Sequence, residues 1–154
     1  MANLNVIHKV LGSGMLTGYL KGPTGTYGSL VALFIYLIPG VSSLIILIPL
    51  IITTTLYGIW VCGKFEQRYG TDPKEATIDE FVGMWISLIL VPTSWGYLLV
   101  AFLIWRILDI VKPFPARNFE KLRGGLGVMA DDIMSGIYTF LIMRIILILF
   151  PEVN

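Results

Sequence analysis

Five apolar runs, broken by short blocks that hold almost all of the charge, decide what this chain is able to become. They are Ser29 to Ile38, closed by Pro39-Gly40; about Val41 to Val61, with Pro49 inside it; Phe81 to Val91, stopping at Pro92; Trp95 to Val111; and Ile133 to Phe150. A bilayer core of roughly 30 Å needs about 20 helical residues, so the second run is long enough to cross while the first, third and fourth are brief. Composition points the same way, since 56% hydrophobic against 14% charged lies far outside the range of a water-soluble domain. The expectation is an all-α fold, a small polytopic membrane helix bundle forming a single domain over 1–154, with about five membrane helices and an N-terminal interfacial segment. For runs three and four, a re-entrant pair is the alternative to two full crossings.

Basic loops are retained in the cytoplasm, so the Lys and Arg positions predict orientation. Lys9 and Lys21 precede the first run; Lys64, Arg68 and Lys74 follow the second; Lys112, Arg117, Lys121 and Arg123 follow the fourth. The other two connections, around Pro39 to Ser43 and Pro92 to Ser94, carry no charge. The N-terminus is therefore expected inside and the C-terminus outside. Met1 to Leu11 is too polar, and too short in its apolar part, for a secretory signal. Arg144 departs from the pattern and is expected to snorkel to the outer interface. The net charge of +1 gives no footing for nucleic acid, and no protein partner is predicted.

With this topology the acids fall in one layer. Asp79 and Glu80 open the third helix, Asp109 closes the fourth, and Asp131 and Asp132 open the fifth. Glu152, beyond the last run, is the exception and is expected to be solvated. Boundary carboxylates are costly unless paired or bound to a cation, so five in one layer of a small bundle mark a functional site. The plain alternative is that one acid of each adjacent pair merely caps its helix, where the dipole favours negative charge. That alternative does not cover Asp109, which sits where the dipole disfavours an anion; its compensation is expected from Arg106, Lys112 or a metal.

Two glycine-rich stretches, Gly22 to Ser29 and Gly124 to Gly127, precede the first and fifth runs on the same inner side. Either a flexible backbone feeds a helix N-terminus there and cradles an anion, helped by Thr24, Thr26 and Ser29, or glycine simply permits a tight turn or close packing. Carboxylates, hydroxyls and several cations together suit Mg²⁺ and a phosphate ester. Zinc does not fit, because the only histidine, His8, lies outside the cluster. The only cysteine, Cys62, has the Cys-x5-Arg spacing of cysteine phosphatases with Arg68, but Glu66 stands where an anion cradle should be.

These residues resemble the phosphatidylglycerophosphatase A family, small bacterial membrane enzymes that dephosphorylate phosphatidylglycerol phosphate with Mg²⁺. The resemblance spans nearly the whole chain. It rests on Gly22-Pro23-Thr24-Gly25-Thr26-Tyr27-Gly28-Ser29, similar to the family's Pro-Gly-Thr-x-Gly-Ser loop, and on Asp72-Pro73 followed by Ile78-Asp79-Glu80-Phe81-Val82-Gly83. It rests further on Arg106-Ile107-Leu108-Asp109 with Lys112-Pro113-Phe114-Pro115, and on Gly124-Gly125-Leu126-Gly127-Val128-Met129-Ala130-Asp131-Asp132.

The resemblance implies a phosphatase of the bacterial inner (cytoplasmic) membrane, multi-pass, acting on a phospholipid at the cytoplasmic face. It implies Glu80, Asp109 and Asp132 as Mg²⁺ ligands, with Asp79 and Asp131 as further catalytic carboxylates. Thr24, Gly25, Thr26, Ser29, Arg106 and Lys112 are expected to bind the phosphate. Two other readings stand beside it: a small transporter or channel subunit using the same carboxylates as an ion site, and a phosphatase for another lipid phosphate.

Overall fold

The computed structural model describes residues 4–119 and 122–151. Lys121 in the third basic block and Glu152 therefore lie outside the described residues. The chain is all-helical there, with seven α-helices, one short 3₁₀ turn at Thr17–Tyr19 and no strand among the described residues. The helices are α1 Val6–Gly12, α2 Thr24–Tyr36, α3 Leu44–Tyr69, α4 Ile78–Ser87, α5 Trp95–Val111, α6 Ala116–Phe119 and α7 Gly125–Leu149.

Two helices are long and apolar enough to cross a membrane, α3 with 26 residues and α7 with 25. At 1.5 Å per residue each reaches about 38 Å. The other three expected crossings are not established by this measure, because α2, α4 and α5 span only 13, 10 and 17 residues. Their brevity has a packing counterpart. Nine of the ten residues of α4 are buried, and α4 is surrounded by α2, α3, α5 and α7. It is the central helix of the bundle, which is why its sequence is apolar without being long.

Helix ends lie closer to the charged blocks than the apolar runs suggest. The first run begins at Ser29, yet α2 starts at Thr24, so most of the glycine-rich stretch is its first two turns rather than a flexible loop. Likewise α7 starts at Gly125, which places Asp131 and Asp132 in its second turn and removes the capping explanation for them. α5 ends where Lys112 takes a left-handed conformation (φ 47°) and donates its N–H to the Leu108 carbonyl at 2.8 Å. Pro113 follows, and a residue before proline is disfavoured in the α region.

Close approach at the centre depends on glycine. A Cβ on Gly136 of α7 would stand 2.6 Å from the Gly83 carbonyl oxygen of α4, so only glycine lets these helices meet there. At the end of the bundle away from the acids, Arg144 does not simply snorkel. Its Nη2 donates to the carbonyls of Ile89 (3.1 Å) and Leu90 (2.6 Å), just beyond the C-terminus of α4, where carbonyls lack helical partners. Tyr36 Oη completes that end with a 2.6 Å bond to the Val91 carbonyl.

Candidate active site

Four helix ends converge on one cleft. The N-terminal turns of α2, α4 and α7 and the last turn of α5 enclose a volume of about 350 Å³ lined by Thr24, Gly25, Asp79, Glu80, Asp109, Lys112, Asp131 and Asp132 among others. All five acids are at least nine-tenths buried. The most compact part joins three helices: one carboxylate oxygen each from Glu80 of α4, Asp109 of α5 and Asp132 of α7 lie within 4.8 Å of one another. Asp132 Oδ2 is buried with no hydrogen-bond partner among the described residues, as is Asp131 Oδ1.

Two cations answer the acids. Arg106 Nη1 lies 2.6 Å from Glu80 Oε2 and 3.0 Å from Asp109 Oδ2, bridging α4 and α5. Lys112 Nζ lies 2.6 Å from Asp131 Oδ2. Arg106 therefore supplies compensation that Asp109 requires at a helix C-terminus, and Lys112 also reaches across to Asp131 of α7. Five carboxylates against these two cations leave a surplus of negative charge in a buried place. Such a surplus is costly unless protonation or a further cation neutralises it. Hard oxygen donors with an orphaned carboxylate oxygen suit a divalent ion of the Mg²⁺ or Ca²⁺ type, so the residues present fit a metal.

Ser29 has a different place from the one expected. It is fully buried, and its Oγ lies 2.7 Å from Glu80 Oε2 while accepting from Trp105 Nε1 at 2.9 Å. The hydroxyl holds a carboxylate instead of facing the cleft, because the second turn of α2 packs directly on α4. Arg106 is likewise engaged with Glu80 and Asp109, and neither Arg106, Ser29 nor Thr26 lines the cleft. Thr24, Gly25 and Lys112 do line it. Gly25 has a steric reason to be glycine, since a Cβ there would sit 1.9 Å from Glu80 Oε1. Asp79 Oδ1 accepts the N–H of Glu80 at 2.9 Å, a local contact at the start of α4 that leaves its second oxygen for other work.

Sequence reasoning missed several neighbours. Trp105 had no role assigned, although it adjoins Arg106 and its indole fixes Ser29. Asp72, Lys74 and Thr77 also line the cleft. Asp72 stands in the Asp72-Pro73 pair that carries part of the resemblance but has no site role in the sequence reading; Lys74 marks only orientation there, and the signal of Thr77 is its position in the short link between α3 and α4. The other candidates fall away from the site. Cys62 and Arg68 lie on one continuous helix, α3, which offers no anion-binding loop, and Cys62 is fully buried. His8 Nδ1 is 2.9 Å from Tyr57 Oη, and its ring meets Trp60 edge-on.

The sequence profile of the phosphatidylglycerophosphatase A family matches residues 7–147, and thus covers the whole cleft. The chain belongs to this family. It is 39% identical over 145 residues to phosphatidylglycerophosphatase A of Haemophilus influenzae, covering 91% of this chain and 88% of that protein. With the Escherichia coli phosphatidylglycerophosphatase A it shares 35% over 136 residues, 83% and 76% of the two chains. A Bacteroides thetaiotaomicron protein, provisionally named phosphatidylinositol-3-phosphatase, is 37% identical over 144 residues, 88% of this chain and 91% of that one. No solved structure matches the chain. Members of the phosphatidylglycerophosphatase A family named for lipid phosphates thus accompany a cleft whose chemistry suits a phosphate ester.

Proposed function

We propose that the chain hydrolyses the terminal phosphomonoester of phosphatidylglycerol phosphate to phosphatidylglycerol and phosphate, using Mg²⁺ held by Glu80, Asp109 and Asp132. The observation that supports it is the buried three-helix carboxylate cluster with its unpartnered Asp132 oxygen. Membership of the phosphatidylglycerophosphatase A family supplies the substrate class. In this reading the cleft faces the cytoplasm of a bacterial inner membrane, at the depth of the lipid headgroups.

When bound, Mg²⁺ supplies Lewis acidity toward a phosphate oxygen and lowers the pKa of a coordinated water. The chain's own groups do the rest. Thr24 and the free N–H groups in the first turn of α2 bind phosphate oxygens, an arrangement that favours anions at a helix N-terminus. Lys112, which also lines the cleft, adds positive charge and offsets charge developing on the oxygens. Asp79 Oδ2 takes the proton as water oxygen bonds to phosphorus; the bond from phosphorus to the glycerol oxygen breaks, and Asp79 returns that proton to the glycerol oxygen, which leaves as an alcohol. Ser29, Trp105 and Arg106 hold Glu80 and Asp109 in place and are positioning residues.

A second lipid phosphate is favoured by one finding, the name of the Bacteroides relative. The transporter reading lacks such support, because the acids lie within about two turns of a helix end rather than beside a break in the middle of a helix. Phosphate release by the purified chain from phosphatidylglycerol phosphate, phosphatidylinositol 3-phosphate and phosphatidic acid, with and without Mg²⁺, tests these readings together. Phosphatidylglycerol phosphate is expected to be cleaved fastest and only with Mg²⁺, with Asp132→Asn inactive. Faster release from phosphatidylinositol 3-phosphate would transfer the assignment to that lipid, and release from none would end the phosphatase reading.

A further inference from the structure

An apolar cavity of about 330 Å³ shares the first turn of α4 with the acidic cleft. Asp79 and Glu80 line the cleft, while Ile78 and Phe81, three residues apart and so on one helix face, line the cavity. Leu11, Met15, Leu50 and Trp85 form much of the remaining wall. Three of the four polar side chains in that wall, all but Thr54, are already committed within the protein. Thr53 Oγ1 donates to the Pro49 carbonyl at 2.8 Å, Tyr57 Oη is paired with His8, and Trp85 Nε1 donates to the Ala32 carbonyl at 2.9 Å. A polar ligand would find few partners there. The size lies in the range of about 300–1,000 Å³ typical of pockets that enclose small ligands.

The cavity's rim adds a second observation. Its outer wall comes from α1 and the turn after it, where Val6, Ile7, Leu11, Met15, Leu16 and Leu20 are exposed beside Lys9. An apolar segment with a basic residue suits the boundary between headgroups and acyl chains. Thr17 Oγ1 lies 2.9 Å from Thr77 Oγ1, tying this segment to a residue that lines the cleft. A diacyl lipid phosphate has matching parts. Its terminal phosphate is separated from its acyl chains by a polar glycerol-phosphate stretch, much as one helical turn separates the two cavities here.

We infer that this cavity holds one acyl chain of the lipid whose phosphate enters the cleft, an assignment that rests on the lipid-phosphatase reading. Chain selectivity tests it, as the ratio of kcat/KM for dipalmitoyl over dihexanoyl phosphatidylglycerol phosphate in one detergent. Thr54→Trp, which fills the cavity, is expected to lower that ratio about tenfold, and Ile52→Trp, on the same helix outside the cavity, to leave it within about twofold. An unchanged ratio in Thr54→Trp, or an equal fall in Ile52→Trp, would overturn the inference. A dipalmitoyl analogue with a non-hydrolysable phosphonate and a photoreactive group on one chain gives a readout independent of turnover. Labelling of Leu50, Phe81 or Trp85, displaced by the unlabelled analogue, supports the acyl site; undisplaced label spread over the outer faces of α3, α5 and α7 indicates bulk lipid and sinks it. If neither chain length is hydrolysed, the phosphatase reading fails, and the labelling pattern still decides whether an acyl chain enters here.

Discussion

Gly25 shows how strictly one side chain can be specified by another. With Glu80 Oε1 only 1.9 Å from where a Cβ would stand, alanine forces the carboxylate out of the cluster it forms with Asp109 and Asp132. Gly25→Ala is therefore expected to lower kcat by about 100-fold or more, since displacing a catalytic group by about 1 Å costs that much. The unfolding midpoint should move little, because the collision is with a side chain rather than with backbone. Kinetics and thermal unfolding of the same preparation check it; a variant that unfolds early and retains normal kcat when folded would refute the steric account. Asp132 makes a complementary case. Its unpartnered oxygen predicts that Mg²⁺ raises the unfolding midpoint of the detergent-solubilised chain, by about 2.7 kcal/mol of stabilisation at 100 times Kd. Asp132→Asn should abolish that shift, and tryptophan fluorescence during heating reads it without any substrate. An equal shift in the variant would remove Asp132 from the cation site.

Among the elements, α4 organises the rest, and its two ends do different work. Its N-terminal turn delivers Asp79 and Glu80 to the cleft, and beyond its C-terminus the carbonyls of Ile89 and Leu90 are satisfied by Arg144 of α7. The Ile89 bond is part-buried and the Leu90 bond exposed, so Arg144→Leu should lower stability by about 0.5–1.5 kcal/mol, the net worth of an intramolecular hydrogen bond. Because Arg144 lies at the end away from the acids, kcat and the Mg²⁺ requirement should be unaffected in the folded fraction. Denaturation in mixed micelles beside a Mg²⁺ titration of activity measures both. A changed Mg²⁺ requirement would mean that the two ends of α4 are coupled.

On the scale of the whole molecule, the acids and the basic blocks gather at one end of the bundle, and the uncharged connection around Thr93 lies at the other. Retention of basic loops predicts which end faces the cytoplasm. Since Cys62 is fully buried, it should stay silent toward a membrane-impermeant thiol reagent, giving a natural background for single added cysteines. Arg68→Cys should react only when the reagent reaches the inner side, and Thr93→Cys only from outside. Reaction of both from the same side would leave the chain with fewer crossings between them than this orientation needs.

Much was legible in the amino-acid order alone. The apolar runs dictated an all-helical bundle, because backbone groups within a lipid core must be satisfied inside each segment. Asp79, Glu80, Asp109, Asp131 and Asp132 were legible as one layer, because helix boundaries put them at the same depth. Depth along a helix is a one-dimensional property and survives in sequence. Direction around the helix and contact between helices do not, and there the tertiary structure decided. It turned Ser29 and Arg106 toward Glu80, joined the Trp105 indole to Ser29, and joined Lys112 to Asp131. It also made α4 a buried centre, which a short apolar run cannot announce, because apolar residues face lipid and protein alike.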